Sequence, residues 1–221
     1  MPPPVVLAAK VSALKVWAEM PDYFALLDET RRPWLEPDEV KQKFITLSTP
    51  VHPDRIHSAP PESRSAAAKS FAELNAARQH LSEPKLRLLH LLELELGERP
   101  KDIQEIPNKL ANLFTGVATA CRLADVFLAE KARVTSPLLQ VNFFGQGLEW
   151  VEKLQQLQQN LNLFHQQLIN ELHALDEAWM EAATAAKRQP LLARLEELYR
   201  LFGYFNRCNS QIQERIVQLS F

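Results

Sequence analysis

Glycine and cysteine are both scarce in this chain. Its 221 residues include 5 glycines and 2 cysteines, Cys121 and Cys208. The two cysteines lack the close spacing of a zinc or redox site, so the sequence favours two buried free thiols over a disulfide. No glycine-rich phosphate loop is present. So little glycine is typical of a helical protein, because glycine weakens a helix interior.

Long apolar runs and an excess of one charge are also lacking. No stretch of 18 apolar residues occurs, so the sequence predicts no membrane span. Residues 1–20 match neither a signal peptide nor an Arg-rich transit peptide. The formal net charge is −2 and the pI is about 6.3, which argues against a nucleic-acid-binding surface. We therefore expect a cytoplasmic globular protein with no nucleic-acid or membrane partner.

Clustered prolines and leucine-rich runs are what the chain has instead. The 15 prolines separate long runs of Leu, Ala, Glu, Gln and Lys, which predicts an all-α fold with prolines at helix starts and stops. The predicted regions are an N-terminal extension at 1–20, a helical hairpin domain at 21–97, a linker at 98–107 and an antiparallel three-helix bundle at 108–221. One long bundle helix is predicted from about Gly145 to Lys187, separated from the next helix by Pro190.

Four helices are predicted within residues 21–97. The first is short and capped by Asp22. The second runs from about Glu36 to Ser48, and Pro50 cuts it short. After a proline-rich loop, the third spans about Pro61 to Leu81. The fourth, from Pro84 to Gly97, is rich in leucine.

The tripeptide His52-Pro53-Asp54 lies in the loop between the second and third of these helices. Pro53 fixes one backbone angle, so His52 and Asp54 project from a stiff turn. Asp54 can accept a bidentate bond from a partner arginine, and His52 can donate or accept a hydrogen bond. The three residues also fit an ordinary turn that ends a helix. The amphipathic helices on both sides favour the functional interpretation.

With its flanks, the tripeptide resembles the J domain of DnaJ-type co-chaperones. Tyr23-Phe24 is similar to that family's opening helix, Val40 through Asp54 to its second helix and loop, and Ala72 through Ala77 to its Asn-containing third helix. The resemblance implies a DnaK-class ATP-driven chaperone as partner, on which the tripeptide docks and stimulates ATP hydrolysis. The catalytic machinery then belongs to the partner, and this chain is expected not to be an enzyme.

The stretch after Leu81 resembles the HscB type of co-chaperone, which acts in iron–sulfur cluster assembly. The residues concerned are Glu83 to Arg87, His90 to Leu94, and Gly97. In that type a J domain is followed by a helical bundle that holds the iron–sulfur scaffold protein, so the resemblance implies such a client here. The human-type variant carries an N-terminal cysteine zinc motif, but no cysteine precedes Cys121. Neither a metal nor a cofactor is therefore expected.

The resemblance also assigns a chaperone-docking surface around the tripeptide. Basic side chains on the second helix steer the acidic chaperone in that family. Here Lys41 and Lys43 lie on that helix, and Arg31 and Arg32 in the preceding loop could add to the basic surface. An ordinary solvated helix face is the alternative. The predicted docking residues are His52, Pro53, Asp54, Lys41, Lys43 and Arg55.

An apolar cluster near a loop of the bundle is the candidate client-binding site. If it is exposed, it is a surface of the kind that binds partners. If it is buried, it closes one end of the bundle, and burial is the favoured interpretation. The predicted client-binding residues are Leu138, Leu139, Phe143, Phe144 and Trp150.

Two other functions fit the sequence less well. In the first, the chain is a helical adaptor or scaffold whose bundle mediates oligomerisation and whose J-like hairpin is inactive. In the second, it is a metal-dependent hydrolase built around His52 and Asp54, which requires further ligands from another helix. The identity of the client, the choice between a general and a specialised chaperone, and the oligomeric state stay open.

Overall fold

The computed structural model describes residues 21–100, 108–182 and 184–220. All regular structure in these ranges is helical, which confirms the predicted all-α class. The short helix expected within residues 1–20 and most of the predicted linker lie outside the described residues. The helices are α1 (Tyr23–Leu26), α2 (Pro37–Ser48), α3 (Pro53–Ile56), α4 (Pro61–Ser82), α5 (Pro84–Leu96), α6 (Asn108–Lys131), α7 (Pro137–Glu181) and α8 (Ala185–Ser220), and a 3-10 turn covers Thr49–Val51.

Proline is the first residue of α2, α3, α4, α5 and α7. This position suits proline because the first helical N–H has no partner inside the helix and the fixed φ is already helical. The short α1 is instead capped by Asp22, whose carboxylate accepts from the amides of Phe24 and Ala25, as predicted. Helix α5 ends at Gly97, its C-cap residue, which has a left-handed φ of +69°.

The two long helices depart from the predicted boundaries. The predicted start at Gly145 and end at Lys187 are both wrong, because α7 begins at Pro137 and ends at Glu181. Pro190 does not separate helices but lies inside α8. Pro190 is the sixth residue of α8, and its missing N–H leaves the Ala186 carbonyl without that helical hydrogen bond.

The chain divides into two compact units. Within the described ranges, the first comprises residues 21–100 together with Glu171–Tyr199, and the second comprises residues 108–170 and 200–220. The segment 171–199, predicted to belong with the rest of the C-terminal bundle, thus packs with the hairpin helices in the first unit. The physical reason is a buried polar network between this segment and the loop before α2, described below.

The first unit has an apolar core shared by α1, α2, α4, α5 and the segment 171–199. Phe24, Leu27 and Val40 are fully buried, which explains why the short α1 and the amphipathic α2 are held in place. The segment 171–199 adds apolar side chains to this core. The buried apolar residues of this segment are Leu172, Trp179, Ala182, Leu192, Leu195, Leu198 and Tyr199.

The second unit packs α6 against parts of α7 and α8. Phe114 of α6 contacts Phe164 of α7 and Tyr204 of α8, with ring centroids 5.9 and 5.4 Å apart. Among the described helices, Leu110–Lys131 is long and apolar enough by composition to cross a membrane. Its apolar stripe is buried within this unit, as expected for a bundle helix.

Candidate functional site

The His52-Pro53-Asp54 turn is built by local backbone geometry. His52 has an extended backbone and is the N-cap of α3, and Pro53 is the first residue of that helix. The amides of Arg55 and Ile56 donate to the His52 carbonyl at 3.0 and 3.3 Å. The tripeptide therefore forms one hydrogen-bonded turn between α2 and α4.

The two polar side chains of the turn differ in their surroundings. The Asp54 side chain is 90% exposed and that of His52 is 44% exposed. Nδ1 of His52 accepts from the Asp54 amide at 3.3 Å, and the imidazole stands edge-on to the Phe71 ring at 5.1 Å. The Asp54 carboxylate lies 3.7 Å from Nδ1, outside hydrogen-bond range. The turn thus presents a solvated carboxylate beside a partly packed imidazole.

Aromatic rings connect the turn to the helices on both sides. The Phe71 ring on α4 lies 6.4 Å from that of Phe44 on α2. The Arg78 guanidinium stands 4.9 Å over Phe44, within cation–π range. His52 therefore rests on a ring pair that joins α2 to α4, and its position depends on the packing of those helices.

The basic side chains near the turn are not equally available. The Nζ of Lys43 donates to the Asp28 carbonyl at 2.5 Å and lies 3.1 Å from a Glu29 carboxylate oxygen. Lys41 and Arg55 are exposed, with no hydrogen-bond or ion-pair partner among the described residues. Two of the three predicted basic docking residues therefore present uncompensated charge. The docking roles of all three stay predictions.

Arg31 and Arg32, expected to extend the basic surface, are both paired inside the first unit. A guanidinium nitrogen of Arg31 lies 2.7 Å from the Asp22 carboxylate. The Arg32 guanidinium donates to Asp176 at 3.0 Å from Nε, and a second contact from Nη2 completes the pair. This hydrogen bond raises the pKa of Arg32. The expectation that these arginines add free positive charge is therefore wrong.

The buried Asp176 anchors the loop before α2. Besides Arg32, it accepts the Trp34 backbone amide at 3.0 Å. Nearby, the fully buried Trp179 donates from Nε1 to the Arg31 carbonyl at 3.0 Å. No local signal predicts these contacts, because Arg32 and Asp176 are 144 residues apart in sequence.

Arg87 and His90, both in the HscB-like stretch, are buried polar residues of the first unit. Arg87 donates to the carbonyls of Pro33 and Leu81 at 2.8 and 2.6 Å, and burial lowers its pKa to about 10. Nε2 of His90 accepts the Tyr23 amide at 3.0 Å. Burial lowers the pKa of His90 to about 4, so its imidazole is neutral near pH 7. Both residues hold backbone that leads into the hairpin.

The predicted client-binding cluster lies on a helix and has two faces. Phe143 and Trp150 pack on Phe127, with ring centroids 5.5 and 6.4 Å apart. Leu138 and Phe144 lie on the opposite face and are 81% and 61% exposed. Leu139, Val141 and Leu148 are also exposed, and Val141 and Leu148 lie on the same side of the helix as Leu138 and Phe144.

The favoured interpretation of burial is therefore wrong for Leu138, Leu139 and Phe144. The spacing of three, three and four residues from Leu138 to Leu148 places Leu138, Val141, Phe144 and Leu148 on one side of α7. Exposed apolar area of this extent on one face is typical of a partner-binding surface. We call these four residues the outer apolar face.

Metal ligation gains no support in the described ranges. No group of three His, Cys, Asp or Glu side chains converges there. The imidazole of His57 contacts the Asp54 carbonyl through Nδ1 at 2.7 Å instead of joining His52 and the Asp54 carboxylate. This contact was missed from the sequence, although its signal is local: His57 follows Asp54 by three residues in a proline-initiated turn.

The fold and the turn together define an all-α structural class with a His-Pro-Asp turn. The described residues form an all-α chain in which a His-Pro-Asp turn joins two antiparallel helices, and long helices follow. No family model matches the sequence.

A solved structure identifies the fold as HscB-like. The crystal structure of the human co-chaperone protein HscB matches with a TM-score of 0.62 and 16% sequence identity, over 89% of this chain and 82% of that chain. Chaperone HscB from Vibrio cholerae matches with a TM-score of 0.49 and 16% identity, over 88% of this chain and 96% of that one. The human match shows that this chain has an HscB-like fold, as the resemblance predicted.

Proposed function

We propose that this chain is a J-domain co-chaperone of the HscB type. It stimulates the ATPase of a DnaK-class chaperone and delivers a client to it, in iron–sulfur cluster assembly in the cytoplasm. The observation that carries the proposal is the exposed Asp54 carboxylate on the turn between α2 and α4. The HscB-like fold supports it.

The chemistry of docking follows from the charges around the turn. The Asp54 carboxylate accepts hydrogen bonds from a cationic group on the chaperone, which is the strong, directional form of this contact. Lys41 and Arg55 add positive charge that attracts an acidic partner surface and speeds association. The ATPase residues belong to the chaperone, and this chain acts by binding.

Single-turnover ATP hydrolysis by a DnaK-class chaperone tests the docking role. The wild type is expected to accelerate hydrolysis, and Asp54→Asn to reduce that acceleration by about tenfold or more, because a charge-assisted hydrogen bond is lost. Asp38→Asn is the matched control, since Asp38 is an exposed acid on α2. Wild type without effect on any DnaK-class chaperone would favour a helical adaptor with an inactive hairpin.

The outer apolar face of α7 is the proposed client site, and the iron–sulfur scaffold protein is the proposed client. Its four exposed apolar side chains bury on contact with a partner, which supplies the driving force for binding. The nearby Phe143 and Trp150 pack on Phe127 and hold this part of α7 in place.

Binding of an iron–sulfur scaffold protein, measured by calorimetry, tests this surface. Phe144→Asp is expected to weaken binding by about tenfold or more, because a charge replaces an apolar contact. Leu163→Asp is the control, since Leu163 is equally exposed on the same helix but lies outside the outer apolar face. Equal losses for both variants would contradict the proposed surface.

A further inference from the structure

Two imidazoles lie on either side of the Asp54 backbone. The amide of Asp54 donates to Nδ1 of His52 at 3.3 Å, and the Asp54 carbonyl oxygen lies 2.7 Å from Nδ1 of His57. A carbonyl oxygen only accepts, so His57 donates through an Nδ1–H. Both backbone groups of Asp54 are therefore bonded to imidazoles of its own turn.

This arrangement requires opposite tautomers in the two rings. His52 accepts through Nδ1, so its neutral ring carries the proton on Nε2. His57 donates through Nδ1, so its neutral ring carries the proton there. The His52 ring is further held by its edge contact with Phe71.

The Asp54 side chain, in contrast, is largely solvated. It is 90% exposed and has no hydrogen-bond partner within the described part of the chain. Its carboxylate lies 3.7 Å from Nδ1 of His52, outside hydrogen-bond range. The backbone of Asp54, which both imidazoles bond, fixes the point from which this side chain leaves the turn.

We propose that His52 and His57 are positioning residues that hold the backbone of Asp54, whose carboxylate is the docking group of the proposed function. This division of roles rests on the proposed co-chaperone function. It adds His57, which lies outside the tripeptide, to the site. It also assigns His52 an internal role, in which its Nδ1 matters more than its Nε2.

Substitutions that keep or remove each Nδ1 contact test these roles in the single-turnover ATPase assay. Asparagine places a polar atom at the position of Nδ1, so His52→Asn and His57→Asn retain the acceptor and the donor. His52→Gln and His57→Leu remove them. We expect the two Asn variants to stimulate ATP hydrolysis within about twofold of the wild type. The stimulation by His52→Gln and by His57→Leu should fall by about fivefold or more, in line with the loss of an N-cap.

Two results of this assay would overturn the proposal. One is equal activity of His52→Gln and His52→Asn, which would show that Nδ1 has no special role. The other is a loss in both Asn variants as large as that in Asp54→Asn, which would show that the rings themselves contact the chaperone.

A measurement without any chaperone separates this inference from the proposed function. Long-range ¹H–¹⁵N correlation spectra at about pH 8, where imidazoles are neutral, report the tautomers, and the Asn variants assign the two rings by loss of their signals. We expect Nε2–H for His52 and Nδ1–H for His57, and any other pair of tautomers would overturn the proposed positioning. If the wild type fails to stimulate hydrolysis, the co-chaperone function fails, and these spectra alone decide the positioning.

Discussion

The two units of the molecule hold their helices together in different ways. In the first, Asp176 is 4% exposed and bonds both the Arg32 guanidinium and the Trp34 amide. In the second, Asp125 is 48% exposed where it pairs with Arg215. The carboxylate is thus buried in one pair and half-exposed in the other, whereas the arginine side chains differ in the opposite sense, Arg32 being 35% and Arg215 18% exposed. The comparison teaches that the burial of the carboxylate and the number of donors it satisfies decide how much such a pair stabilises the fold.

The largest expected effect is the loss of the buried anchor. Asp176→Ala removes the carboxylate that accepts from three donor atoms, two on the Arg32 guanidinium and one at the Trp34 amide. The free energy of unfolding should therefore fall by about 3 kcal/mol. Urea titration followed by circular dichroism measures the change. A loss below about 1 kcal/mol would mean that water replaces the carboxylate easily and that the buried pair resembles the surface one.

Acid should weaken the first unit through His90. The folded-state pKa is about 4 and the ordinary value 6.5, so the unfolded chain binds the extra proton between these values. The stability from neutral His90 is therefore complete above pH 6.5 and is lost as the pH falls toward about 4. Between pH 7 and pH 5, the free energy of unfolding of the wild type should fall by about 2 kcal/mol more than that of His90→Gln. Urea titrations at the two pH values measure these free energies of unfolding. Equal losses in the wild type and in His90→Gln would exclude His90 as the cause.

One substitution should have opposite signs in the two units. Gly97 has a left-handed φ of +69°, whereas Gly116 lies within α6, and a Cβ has open space at both positions. Gly97→Ala should destabilise by about 1 kcal/mol because of its backbone conformation, and Gly116→Ala should stabilise by roughly the same amount. Thermal unfolding of the two variants tests this. Equal signs would show that something other than backbone conformation controls these positions.

The smallest expected effect is that of the surface pair in the second unit. Asp125→Ala removes two 3.0 Å contacts with Arg215, but exposed pairs contribute little. We expect the free energy of unfolding to change by no more than about 0.5 kcal/mol, and by less at high salt. Urea titrations at low and high ionic strength measure it. A cost comparable to that of Asp176→Ala would remove the distinction between the units.

Much of the candidate site could be predicted because it is local. Asp22 and Gly97 act on backbone within a few residues, and each lies at the helix end where the sequence placed it. Pro53, predicted to lie in a loop, begins the short α3 instead. The neighbours of Lys43 and Arg32 could not be predicted, since their partners are distant along the chain or unmarked by any pattern. Proximity in sequence grouped Leu138 and Phe144 near a predicted loop, but it does not reveal that they lie on α7 or which face of that helix meets a neighbour.

The sequence by itself determined the all-α class, most helix starts and the His-Pro-Asp turn, because capping, proline geometry and helical periodicity act over one or two turns of chain. Only the tertiary structure decided that segment 171–199 packs with the hairpin helices, that Lys43 is paired, and that the outer apolar face is exposed. These depend on burial and on partners far apart in sequence. Their free energies arise only when the helices pack against one another.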